Sequence, residues 1–185
     1  MASQVHYEET KLQSLVEDSQ LVVVARVLDP IRTLVEVPIA PKGAAADQEK
    51  YPPFNAAVLH FSVVETLYAD RKVELPAKLD VVSETLDQRY SLHVRYYVEG
   101  VSKSPIYRRY EPKAGAVALE PGTLLVLFLR WPRPKDDGGA RSPLERALAK
   151  STTPFSLVVD GAIERMSMKK EIQELVAKHR AKGEH

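Results

Sequence analysis

Hydrophobic positions recur along this chain with two periods, and the period of two dominates. Near the start Leu12, Leu15 and Val16 fall at i, i+3 and i+4. That spacing gathers side chains on one side of a helix, so a short amphipathic helix is predicted over 8–18. Leu21 to Leu28 reads Leu-Val-Val-Val-Ala-Arg-Val-Leu, a β-branched run too short for a helix, which predicts a strand. Asp29-Pro30 is a turn signal at its end, and residues 31–37 either extend the strand or begin another. Pro38, Pro41, Pro52 and Pro53 surround an alanine-rich polar stretch, so 38–53 is expected to be a long surface loop.

Asn55 to Leu67 sets Leu59, Phe61 and Val63 against His60 and Ser62, the pattern of a strand with one dry face. Leu79 to Ser83 is a shorter strand of the same kind. Tyr90, Leu92, Val94, Tyr96 and Val98 then alternate with Ser91, His93, Arg95, Tyr97 and Glu99. This predicts a strand over 90–99, turned at Gly100 to Pro105 and paired with 106–111 as a hairpin. Pro121-Gly122 has the residues of a type II turn, and the nearly all-apolar Thr123 to Leu129 behind it reads as a central strand covered on both faces. Residues 132–142 are expected to be an exposed and mobile loop. Ser142, Pro143 and Glu145 then supply a cap, a first helical position and a third-position acid for a short helix to Lys150. Phe155 to Val159 is a last long strand, turned at Asp160-Gly161 towards Ala162 to Met166. Ile172, Leu175, Val176 and His179 make one stripe of a closing helix over 168–181, with Ser167 as its cap.

About seven strands with closely spaced turns, and helices at the ends with one crossover, predict a mainly β protein. The expected architecture is a closed or partly open antiparallel β-barrel. It forms a single domain over 1–185, with the barrel at about 20–166 and the terminal helices packed on its ends. No run of alternating strand and helix occurs, which argues against a doubly wound sheet and its nucleotide crevice.

Composition narrows the function classes. The chain has 185 residues with 26 Lys and Arg against 25 acids, so a globally cationic nucleic-acid binder is excluded. It has no cysteine, hence no disulfide, thiolate zinc site or cysteine nucleophile. No apolar run approaches the roughly 18 residues of a spanning helix. The first twenty residues lack an apolar signal core. With Met1 native the protein is expected to be cytoplasmic; with Met1-Ala2-Ser3 added in cloning, a leader was removed and the protein is exported (periplasmic or secreted), the reading preferred here.

The chain contains no Gly-x-x-x-x-Gly-Lys, Gly-x-Gly-x-x-Gly, His-Glu-x-x-His or Gly-x-Ser-x-Gly. His6, His60, His93, His179 and His185 lie far apart. His60 and His93 can meet across neighbouring strands, but a histidine on a strand's polar face reads first as a surface residue. Glu17-Asp18 and Asp136-Asp137 read as solvated pairs, and Ser142 is explained as a cap. The expectation is a protein without catalytic activity, cofactor or metal.

One segment concentrates chemistry. Arg89 to Lys113 holds five of the eight tyrosines and six cations against two acids, a local charge of +4. Cations interleaved with rings suit single-stranded nucleic acid, and equally a protein interface. Tyr90 and Tyr96 share the face of Leu92 and Val94 and are expected in the core. His93, Arg95 and Tyr97, with Tyr107 and Arg109 across the hairpin, remain as the candidate binding surface. The expected function is a binding module that recognises another protein through the 89–111 hairpin. Single-stranded nucleic acid binding is one alternative, and a purely structural part in a cell-envelope or other assembly is another.

Three segments in order resemble a known family: Leu21 to Val27, Phe61 to Asp70, and Leu119 to Leu129 with its Pro121-Gly122 turn. Together they are similar to small bacterial OB-like β-barrel domains, the kind that also underlies netrin-like and metalloproteinase-inhibitor modules and is often exported. The resemblance frames about 20–166 and implies a closed barrel. The N-terminal cysteine through which the inhibitor branch acts is absent, so inhibition by metal chelation does not carry over. Residues 87–115 and the final helix also lie outside the pattern.

Overall fold

The computed structural model describes residues 6–43, 47, 49–133 and 141–183. Its strands are β1 (His6–Glu9), β2 (Leu21–Val37), β3 (Phe54–Ala69), β4 (Lys78–Val82), β5 (Ile106–Arg109), β6 (Leu124–Arg130), β7 (Phe155–Leu157) and β8 (Ile163–Arg165). The helices are α1 (Leu12–Asp18), α2 (Leu86–Val94), α3 (Pro143–Ala149) and α4 (Lys169–Gly183), and α2 runs on into a π-helical turn over Arg95–Glu99. Strand accounts for 36% of the described residues and helix for 28%, so the protein is mainly β. Among the described residues no helix is long and apolar enough to cross a membrane.

The long strand β2 pairs antiparallel with β3 along its length, and over Leu21–Arg26 its other edge pairs with β6. β3 pairs with β4, β4 with β7 in parallel, and β7 with β6, which returns the pairing to β2. Five strands are thus linked in a ring. β6 gives its second edge to β7 at Leu129 and Arg130 and to β8 at Leu125–Leu127. β3 supplies the curvature: Val64 and Leu67 are each passed over in the β2 register, and such bulges bend and twist a strand.

β2 and β6 are paired on both edges, so their backbone groups are satisfied, and their apolar runs are packed on both faces. Leu21–Ala25 and Leu125–Leu129 are all buried. Phe61, Leu79 and Val81 fill the same core, and Leu15 and Val16 of α1 with Ile172 and Val176 of α4 close over it. A second cluster lies on the opposite face of β3 and β4. There Leu86 of α2 and Leu144 and Leu148 of α3 cover Ala56, Val58 and Val82. Ser142 caps α3 as its sequence predicts, accepting from the Glu145 N–H at 3.1 Å.

Three expectations are corrected. The strand over 90–99, and with it the 89–111 hairpin, does not form; the segment is helical. Leu86, Tyr90, His93, Val94 and Tyr97 also satisfy a helical stripe, and the apolar face around Phe54 gives that stripe a surface to cover. The 8–18 helix starts only at Leu12, because 6–9 pair in parallel with 106–109 and set Glu8 and Glu9 beside Arg108 and Arg109. The Tyr7 ring meets Tyr107 at 6.2 Å and lies under Arg109, contacts that favour this pairing over a first helical turn. β5 therefore has β1 as its partner. Asp29-Pro30 does not end the strand but lies inside β2 with a cis peptide bond. Most of the 132–142 loop and the Met1-Ala2-Ser3 start lie outside the described residues.

The small β1–β5 sheet joins the ring at one tight crossing. The Tyr110 N–H donates to the Asp160 carbonyl at 2.8 Å, and the Tyr110 hydroxyl donates to buried Glu164 at 2.6 Å. Burial and that carboxylate push the Tyr110 phenol well above its ordinary range. Gly161 sits at the crossing with φ 73°, where an added Cβ would lie 2.7 Å from the Tyr110 carbonyl oxygen. Gly100 has a similar φ of 68° with nothing within 4 Å. Gly100→Ala is therefore expected to lose only the left-handed backbone penalty, about 1–2 kcal/mol. Gly161→Ala should lose clearly more, because a backbone atom must move. Urea unfolding of the two variants checks this, and equal losses would mean that the crossing is loose.

Candidate functional site

A cavity of about 440 Å³ opens where β2 leaves its partner. Val27 faces Phe61 and Arg32 faces Leu59, so the four residues Leu28–Ile31 stand opposite His60 alone. The bulged strand bows away and leaves His60 at the base of the gap, while Leu28, Pro30, Val35 and Val58 give the cavity apolar walls.

The register explains what His60 meets. It is the cross-strand partner of Asp80 on β4, and paired residues present their side chains on the same face. His60 Nδ1 lies 2.7 Å from Asp80 Oδ1. Thr33, opposite Val58 on β2, is the diagonal neighbour, and its Oγ1 lies 3.0 Å from His60 Nε2. The second carboxylate oxygen of Asp80 accepts from the Thr152 hydroxyl at 2.5 Å. Lys78 Nζ stands 3.7 Å from Asp80 Oδ1. His60 is only 6% exposed, so the surface position expected for it is corrected. Both of its ring nitrogens are satisfied.

Burial alone would push the Asp80 carboxyl up. The hydrogen bonds from Thr152 and His60, with the nearby charges of Lys78 and His60, outweigh burial and hold it below the usual carboxylate range. Among the described residues no three His, Asp or Glu side chains gather as metal ligands would.

The residues singled out from the sequence fall into two groups. His93 and Tyr97 lie one helical turn apart at the end of α2, with ring centroids 4.7 Å apart. His93 Nε2 donates to the Pro52 carbonyl at 2.7 Å and its ring meets Phe54 edge-on, so His93 anchors the helix. Arg95 is exposed in the π-helical turn. Tyr107 and Arg109 belong elsewhere. Tyr107 is buried, with the Arg89 guanidinium 4.7 Å from its ring centroid, and Arg89 also donates to Asp160 and to Tyr7. Arg109 lies over the Tyr7 ring and pairs with Glu111 at 2.9 Å. These groups bind the β1–β5 sheet to the body. The single surface expected of the five residues is therefore not assembled.

Thr33, Asp80 and Thr152 were missed by linear reading because they come from β2, β4 and the segment before β7. One signal was present for His60: Ala56 to Phe61 is apolar at both parities, which marks a strand covered on both faces. Protein-family models and curated proteins give no match to this sequence.

The Asp80 network fixes a pH dependence. A carboxyl held low in the folded state adds stability above its unfolded pKa, about 3.9, and loses it as pH falls through the folded value. Thr152→Val removes one of the bonds that hold it low. At pH 7 the variant is expected to be about 1 kcal/mol less stable. The gap should shrink below about pH 4 as Asp80 becomes protonated in both proteins. Melting curves across pH measure it, and a gap that stays constant down to pH 2 would show that Asp80 is not the group being stabilised.

Proposed function

We propose that the strand ring is an OB-like barrel and that the protein is a binding module which recognises another protein through the aromatic end of α2. Five strands joined by Greek-key connections are the hallmark of an OB-fold. The order β2–β3–β4–β7–β6, closing back on β2 with β4 and β7 parallel, supports that reading.

The observation that carries the binding surface is the exposure of Tyr96 (52%), Tyr97 (39%), Val98 (36%) and Val101 (39%) within six residues. Large apolar side chains clustered at the surface mark interaction sites. Tyr96 and Tyr97 stand edge-to-face at 4.8 Å, and Tyr97 rests on His93, itself tied to Pro52. Rings held in place before contact lose little entropy on binding. Arg95 and Lys103 are exposed beside them and make no ion pair among the described residues. The partner surface that fits is an apolar depression edged by carboxylates.

Nucleic acid is the weaker reading for two reasons. OB-folds receive oligonucleotides on the outer face of their second and third strands. Here those strands are β3 and β4, and α2 and α3 cover much of that face. Three of the six cations between Arg89 and Lys113 are also neutralised, Arg89 by Asp160, Arg108 by Asp18 and Arg109 by Glu111.

Tyr97→Ala and Arg95→Ala test the surface. A partner captured by the parent protein should survive moderate salt and be lost with either variant, by roughly thirtyfold or more for a hot-spot side chain. Arg95→Ala should leave stability within about half a kcal/mol. Equal capture by the variants, or a melting temperature lowered by many degrees in Arg95→Ala, would refute the surface. Oligonucleotide binding that falls steeply with salt would point to the nucleic-acid alternative instead.

A further inference from the structure

The cavity at His60 lies apart from the aromatic end of α2 and uses none of its residues. A carboxylate only accepts, so the proton shared by His60 and Asp80 belongs to His60 Nδ1. In the neutral ring Nε2 then carries the lone pair, and the Thr33 hydroxyl 3.0 Å away donates to it. Hydroxyl, imidazole and carboxylate stand in the order and at the distances of a nucleophile, its general base and the group that orients the base. Thr33 is exposed, whereas the His60 side chain behind it is 8% exposed and the Asp80 side chain 19%. Satisfying a buried imidazole accounts for its bond to Asp80. It also calls for a partner on Nε2, and what points beyond structure is the nature of that partner, an exposed hydroxyl lining a cavity of ligand size.

We propose that this cavity is an acyl-transfer site that hydrolyses small neutral esters, with Thr33 as nucleophile. Thr33 Oγ1 forms a bond to the ester carbonyl carbon while its proton passes to His60 Nε2. The tetrahedral intermediate collapses, the ester C–O bond breaks, and the departing alcohol takes the proton from Nε2. Water then attacks the acyl–Thr33 ester, gives a proton to His60, and releases the carboxylic acid as Thr33 recovers its own proton. The net reaction is ester plus water to acid plus alcohol. Lys78 is the one lysine or arginine among the described residues lining the cavity, and its Nζ lies 3.7 Å from Asp80 Oδ1. The apolar wall accepts a short acyl chain, while Asp29 and Asp80 disfavour an anionic substrate. This departs from the expectation of a protein without catalytic groups, which rested on linear motifs that residues 33, 60 and 80 do not form.

The probe is p-nitrophenyl acetate, with nitrophenolate release followed by absorbance and acid-quenched samples mapped by peptide mass spectrometry. The folded protein is expected to carry an acetyl group on Thr33 and to hydrolyse the ester faster than the same protein unfolded in urea. Thr33→Val keeps the branched shape at an exposed position; it should lose the adduct and at least about tenfold in rate. Asp80→Asn should lose rate with less loss of binding, and Thr33→Ser should restore activity to near the parent level. Absence of an acetyl group on Thr33 in the folded parent would overturn the proposal, whatever the variants do. So would a Thr33→Val rate equal to the parent's, which would assign the turnover to surface lysines. Neither result bears on the α2 surface, whose variants leave these residues untouched.

Discussion

The structure depends on one strand being paired along both edges. Over Leu21–Arg26, β2 exchanges backbone hydrogen bonds with β3 on one side and β6 on the other, so no edge remains open there. Unsatisfied backbone groups are costly to bury. Double pairing lets Leu21–Ala25 and Leu125–Leu129 be apolar at every position rather than at every second one. Both terminal helices then find a surface to cover, and α1 and α4 pack against each other as well as on the strands. Beyond Val27, which still bonds to Gly122 and Thr123 ahead of β6, β2 has β3 as its one strand partner, and its departure from that partner opposite His60 creates the cavity.

Several elements were legible in the sequence for the same physical reason: their pattern has a single reading. The Pro121-Gly122 turn and the short apolar run behind it agree on a covered strand, and Ser142-Pro143 with Glu145 agree on a helix start, since cap, fixed φ and acid point the same way. Segment 90–99 was not legible, because its apolar residues fit both a period of two and a helical stripe. Tertiary context decided, through Phe54, whose ring meets Tyr90 and His93 edge-on at 5.5 Å. Asp29-Pro30 misled in a similar way. A turn dipeptide inside a long strand is accommodated by a bulge when the flanking residues on both sides find the same partner strand.

The charge-rich segment followed a different logic. Its tyrosines and arginines looked like one binding surface, yet Arg89, Tyr107, Tyr7 and Asp160 lock the β1–β5 sheet against the ring. Arg89 sits above Tyr107 and donates from Nε to Thr85 at 2.8 Å, so its charge is consumed by structure. The Thr33–His60–Asp80 array was invisible for the opposite reason. Its members are single, ordinary residues on three strands, and only strand register brings them within hydrogen-bonding distance.

The central claim is that this register presents His60 between a carboxylate and a hydroxyl. Long-range 1H–15N correlation of the imidazole ring tests it most directly, at a pH where the ring is neutral. The structure predicts that His60 carries its proton on Nδ1, seen as a slowly exchanging ring proton far downfield, and that Asp80→Asn shifts that resonance upfield. A neutral His60 protonated on Nε2, or a ring proton exchanging as fast as that of a surface histidine, would contradict the register and the site built on it.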